Sequence, residues 1–201
     1  MTRTRKDDAG VTLIEMLFAM TAFAVVLAVF VSAVRVMTTS MTRVSAVTAA
    51  VTQTRAAADV LGRQLGYASA ANQPVYSGAT ASWYFEFESD AVKAGDDARC
   101  TQWRFQSGTR LLQYRTWSVV TLAPTSWTTV ADTVVNDVVT QPPFTLLASD
   151  AGFSVMRVAV NLQLRSSVGV PVQSQGQYTM RNSLEAPVPT TSTVCTQLGR
   201  P

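Results

Sequence analysis

Between Val11 and Val34 the chain carries one charge, the carboxylate of Glu15, and no proline or glycine. About 24 residues of this kind make a helix of roughly 36 Å, enough to cross a hydrocarbon core of ~30 Å. A helix is the natural state there, because it pairs its own backbone groups where no water can. The polar interruptions are Thr12, Glu15, Thr21 and Ser32, and the next charge is Arg35. A lone carboxylate in such a segment costs roughly 2.5–3.5 kcal/mol on insertion scales, so Glu15 is expected to have a partner. Arg3, Arg5 and Lys6 precede the segment and only Arg35 follows closely. The positive-inside rule therefore places the N-terminus in the cytoplasm and the remainder outside it, a single-pass arrangement.

Gly10-Val11-Thr12-Leu13-Ile14-Glu15, after a short basic leader and before an apolar helix, resembles the type IV prepilin (class III) signal. The resemblance implies that a membrane prepilin peptidase cuts between Gly10 and Val11 and methylates the new α-amine of Val11. Residues 1–10 would be the leader, and Glu15 would become the fifth residue of the mature chain. The family most often has Phe where Val11 stands. In the membrane the carboxylate of Glu15 would neutralise the α-amine of a neighbouring subunit. Removing one partner of such a buried pair typically costs roughly 3–5 kcal/mol, so the pair would set axial register. Three other readings stay open. Thr12 to Glu15 fits a capping box, in which Glu15 satisfies backbone N–H groups. The segment could be a plain signal anchor. Val31-Ser32-Ala33 could be a secretory cleavage site that releases Val34, although the apolar run exceeds the usual ~7–15 residues.

The helical pattern continues beyond the membrane. Met37, Met41, Val44 and Val51, then Leu61 and Leu65, recur at helical spacings, and the first proline is Pro74. One long helix from Val11 to Gly66 is expected, apolar on all sides over 11–35 and amphipathic over 36–66, with Gly66 as its stop. From 67 to 185 the vocabulary is β-branched, aromatic and alternating. Ser82–Glu88, Thr101–Gln106, Arg110–Trp117, Ser154–Leu164 and Val172–Arg181 read as strands, with a tight turn at Ser107-Gly108. Ser118–Ser149 reads as loops with short strands or a helical turn near Val134–Val138, and 186–201 as an irregular tail. The fold class expected is α+β: a long N-terminal transmembrane and stem helix followed by an antiparallel β-sheet domain. Asp59–Leu65, the hairpin Trp103–Phe105 with Leu111–Arg115, and Tyr178–Asn182 resemble J-type minor pseudopilins of type II secretion and PilW-type minor pilins.

The chain contains no histidine, which removes Ser-His-Asp and Cys-His catalysis and most zinc sites. From Ala71 onward nine Lys/Arg balance nine Asp/Glu, so the pI of about 9.1 comes from the leader and helix. Nucleic acid as a partner is therefore unsupported by charge. Cys100 and Cys195 are an even pair outside the membrane, which favours a disulfide; two buried free thiols are the alternative.

Glu86, Glu88, Asp90, Asp96 and Asp97 cluster in sequence without EF-hand spacing. A solvated acidic face is the favoured reading and a Ca²⁺ loop the sharper one. Trp83, Trp103, Trp117 and Trp127 fall in or near strands, where core or cross-strand packing competes with an exposed aromatic platform. No phosphate loop, paired catalytic carboxylates or metal-ligand spacing stands out, so no catalytic residue, metal or cofactor is expected. The resemblance implies a structural subunit, a minor pilin or pseudopilin of a type IV pilus-like or type II secretion-like filament. Its partners would be the membrane, other major and minor pilins, the prepilin peptidase and the inner-membrane assembly platform. A secreted or membrane-anchored binding module with no filament role is the alternative.

Overall fold

A computed structural model describes residues 12–91, 95–149, 152, 154–183 and 194–196. Gly10 and Val11 lie outside these residues. The chain divides into two compact units, 1–45 and 46–201. Helix α1 (Leu13–Gly66) is one uninterrupted element, as the periodicity predicts. Among residues 13–45 its large apolar side chains are exposed, from Leu13 at 84% to Val44 at 65%. It is the one helix among the described residues that is long and apolar enough to cross a membrane. Its hydroxyls turn back on the helix: Thr21 donates to the Phe18 carbonyl at 2.9 Å and Ser32 to Ala28 at 2.7 Å. Such bonds let a polar side chain sit in apolar surroundings with its donor satisfied.

In residues 46–66 the same helix buries one stripe, Ala50, Thr54, Ala57, Leu61 and Leu65, at spacings of three and four. It ends in a tightened turn in which the Tyr67 amide donates to the Gln64 carbonyl at 3.3 Å.

Nine strands follow: β1 (Ala68–Ala71), β2 (Val75–Ser77), β3 (Ser82–Ser89), β4 (Arg99–Gln106), β5 (Leu111–Ser118), β6 (Thr128–Ala131), β7 (Phe144–Leu147), β8 (Arg157–Arg165) and β9 (Pro171–Thr179). The first sheet runs β1-β3-β4-β5-β6 with β2 also paired to β3, and the second runs β7-β8-β9. All pairings are antiparallel. The α+β layout expected from the sequence is the one observed.

The five expected strands are β3, β4, β5, β8 and β9, with shifted ends. β8 starts at Arg157 rather than Ser154 because the Met156 amide is taken by the Ser183 hydroxyl at 3.0 Å, outside the ladder. β9 stops at Thr179, and Met180 bonds back to the Met156 carbonyl at 3.0 Å. The interval 118–149 holds β6, β7 and a bridge from Val134 to Leu164.

Alternation in each long strand sends one face into a shared core. Phe85, Phe87, Trp103, Phe105 and Leu112 of the first sheet meet Phe144, Val158, Val160, Leu162 and Leu164 of the second, with Ala57, Leu61 and Leu65 of the helix. Phe144 stacks on Phe85 at 5.5 Å between ring centroids and meets Trp103 edge-on at 6.4 Å. Aromatic pairs at these separations add about 0.5–1.5 kcal/mol beyond area burial.

Candidate functional site

The site singled out by the sequence lies at the start of α1. Thr12 caps the helix: its hydroxyl accepts the Glu15 amide at 3.4 Å and its carbonyl accepts Met16 at 3.2 Å. The reciprocal half of a capping box, with the Glu15 carboxylate turned back on the Thr12 amide, is not formed. Among the described residues that carboxylate, exposed in the first turn, has no hydrogen-bond or ion-pair partner. A negative charge in this turn is favoured by the helix dipole. It stands among Leu13, Ile14, Met16, Leu17 and Phe18, all more than half exposed.

Residues 5–31 match the family of the prokaryotic N-terminal methylation motif. The match spans Arg5, Lys6, Gly10, Glu15 and most of the apolar helix, and it supports the type IV prepilin-like family. An N-terminal apolar helix carrying this motif fits a membrane-anchored, single-pass protein. No curated protein and no solved structure matches the chain. The prepilin motif lies outside the β-sheet region, so the J-type and PilW-type likeness rests on the residues quoted for it.

Elsewhere the structure separates what clustered in sequence. Glu86 is buried, not part of a solvated acidic face: it is 1% exposed and its Oε1 accepts the Gln102 side-chain amide at 3.0 Å. The sequence misled because Glu86 lies on the face of β3 turned away from the main core, which alternation alone reads as solvent. Asp90 accepts the Ser69 hydroxyl at 3.0 Å and Asp97 the Ser118 hydroxyl at 2.7 Å. The five carboxylates do not converge. Among the described residues the one grouping of three candidate metal ligands is Glu88 with Cys100 and Cys195. Both of those sulfurs are in a disulfide, which leaves one carboxylate and no thiolate for a metal. An open cleft of about 500 Å³ beside Asp90, Asp96, Asp97 and Arg99 is lined by side chains of mixed sign.

The disulfide joins Cys100 on β4 to Cys195, with Cα atoms 5.6 Å apart. It forms a second small cluster with Trp117, Val119 and Val194. Asn72 clamps the same segment, its amide donating to the Val194 carbonyl at 2.6 Å and its oxygen accepting the Val194 amide at 3.1 Å. Nothing local in the sequence marked Asn72, because its partner is 122 positions away.

Of the tryptophans, Trp103 and Trp117 are buried and Trp83 and Trp127 half-buried. The Trp103 ring nitrogen donates to the Gln64 side chain at 2.8 Å and that of Trp83 to the Val138 carbonyl at 3.1 Å. Trp127 stacks on Arg104 at 3.8 Å and Arg115 at 4.6 Å. Packing therefore accounts for Trp83, Trp103 and Trp117, and Trp127 is held by cations.

Proposed function

We propose that this chain is a minor pilin or pseudopilin, made as a membrane-anchored precursor and built into a type IV pilus-like or type II secretion-like filament. The prepilin peptidase cuts between Gly10 and Val11, and the α-amine of Val11 is methylated. The domain plan is a leader (1–10), a transmembrane half-helix (11–35), an extracytoplasmic half-helix (36–66), a β domain (67–185) and a tail (186–201). The apolar half-helix moves from lipid to the filament interior without a change of solvent class, so one segment serves as anchor and as polymerisation stem. Glu15 then meets the α-amine of an adjacent subunit and sets the register. Other pilins and the inner-membrane assembly platform are the partners, and the protein's role is structural rather than catalytic.

The observation that carries this reading is the coincidence of the methylation motif over 5–31 with an uncovered apolar helix holding in its first turn a carboxylate that has no partner among the described residues. The mature N-terminus, read by mass spectrometry on protein from its native membrane, tests it. An N-methylated Val11 supports the proposal. A chain starting at Val34 indicates a secretory signal, and one retaining Met1 or Thr2 indicates a simple anchor; either result refutes it.

A further inference from the structure

The face of the first sheet turned away from the main core carries Tyr84 and Glu86 on β3, Gln102 and Arg104 on β4, and Gln113 and Arg115 on β5. The register sets Arg104 opposite Gln113 and Arg115 opposite Gln102. Each arginine donates through Nε to the glutamine it faces, Arg104 to Gln113 Oε1 at 2.9 Å and Arg115 to Gln102 Oε1 at 2.8 Å. The glutamines are held in turn, Gln102 by Glu86 at 3.0 Å and Gln113 by Thr129 at 2.9 Å. Both guanidinium groups are also stacked on Trp127. Two arginines are thus fixed in place by a hydrogen bond at Nε and by a ring at the face.

Two like charges are held close by this arrangement. Burial pushes both guanidinium groups below their ordinary value, and the charge of Arg104 pushes Arg115 further. Glu86 attracts Arg115 across Gln102, and Tyr84 adjoins Arg104. Both arginines stay partly exposed.

We propose that Arg104 and Arg115, backed by Trp127, form a recognition site for a single carboxylate, an acidic side chain on a partner protein. The chemistry fits because guanidinium presents paired N–H donors in the plane that carboxylate oxygens match. Preorganisation fits too, since the Nε bonds and the ring already restrict both side chains before a ligand arrives. A nucleic acid strand fits less well. It needs a track of cations, whereas charges from Ala71 onward cancel and Glu86 and Glu88 share this face. The inference goes beyond the filament reading and does not depend on it.

The test is anisotropy of a labelled hexaglutamate peptide titrated with full-length protein in detergent micelles at low ionic strength. The wild type is expected to bind. Arg104→Gln with Arg115→Gln is expected to weaken binding at least tenfold, while Arg165→Gln, exposed on β8, leaves it unchanged. Because the glutamine pair could loosen the Trp127 segment, Arg104→Lys with Arg115→Lys is measured alongside. Those lysines keep the charge but lose the planar fork, and at least a threefold loss is expected. The proposal is overturned by absence of binding to the wild type, by equal binding to the glutamine double variant, or by lysines that bind as well as arginines. It is also overturned if a thymidine hexanucleotide binds as tightly as the peptide with the same arginine dependence. None of these results bears on the state of Val11, so failure here leaves the filament proposal untouched.

Discussion

The ring of Tyr178 lies directly on the backbone of Gly62: a Cβ at position 62 would sit 2.7 Å from Cε1 and 2.9 Å from Cδ1. On its other side the same ring is 3.4 Å from where a Cβ on Gly176 would stand. Strand β9 and the last turns of α1 meet through this ring, and glycine at 62 is what permits the approach.

Gly62→Ala is accordingly expected to destabilise the protein, against the usual benefit of replacing glycine inside a helix. Overpacking costs about 1–3 kcal/mol and the helix-propensity gain returns about 1. A net loss of about 1 kcal/mol is expected in denaturant unfolding of full-length protein in detergent. Combined with Tyr178→Ala, the alanine at 62 should become neutral or stabilising. A stabilised single variant would show that the contact is not made.

Tyr178 also predicts an alkaline transition. Desolvation, and then the charge of Asp59, raise its pKa above the ordinary 10.0. The folded chain thus holds this proton to higher pH than the unfolded chain does. The contribution to stability is present below about pH 10 and is lost as pH rises through the folded value. Stability measured from pH 9 upward should fall less steeply in Tyr178→Phe than in the wild type. Identical slopes would remove Tyr178 as the titrating group.

The Cys195 segment is held by two independent devices. The disulfide closes a loop with a sequence separation of 95. Removing it by Cys100→Ala with Cys195→Ala is expected to lower stability by up to about 4–5 kcal/mol on chain-entropy grounds. Asn72→Ala, which leaves the Val194 amide and carbonyl without their partner, is expected to cost about 1–3 kcal/mol. Denaturant midpoints with and without reductant separate the two contributions. An Asn72→Ala variant as stable as wild type would show that water replaces the clamp.

Glu15→Val should divide insertion from assembly. Removing the charge lowers the cost of entering lipid by roughly 2.5–3.5 kcal/mol, so membrane insertion is maintained or improved. If Glu15 pairs with a neighbour's amine, incorporation into filaments drops, as quantified by immunoblotting of sheared filament and membrane fractions. Normal incorporation would leave the carboxylate without the register role.

Several parts of this protein are legible from local pattern alone. The apolar helix and strands β3, β4, β5, β8 and β9 are legible because each repeats a period over enough residues to define a face, and the motif around Gly10 and Glu15 because its residues stand at a fixed short spacing. β1 is not, and β7 only as an unplaced short strand within 118–149: Ala68–Ala71 has little side chain to pack, and Phe144–Leu147 is four residues long. Such segments become strands because a neighbour offers a free edge, a condition that no local window contains. Glu86, Asn72 and Gly62 belong to the same class. A carboxylate on the outer face of a sheet is buried or solvated according to what else covers that face. An asparagine becomes a clamp when the chain returns to it. A glycine in a helix is a weakness or a point of close approach according to what is packed against it. Sequence alone determined the membrane-competent helix with its lone charge, since a period and a charge are properties of consecutive residues. Only tertiary structure decided which polar groups are paired and which backbones touch, since those depend on residues brought together from far along the chain.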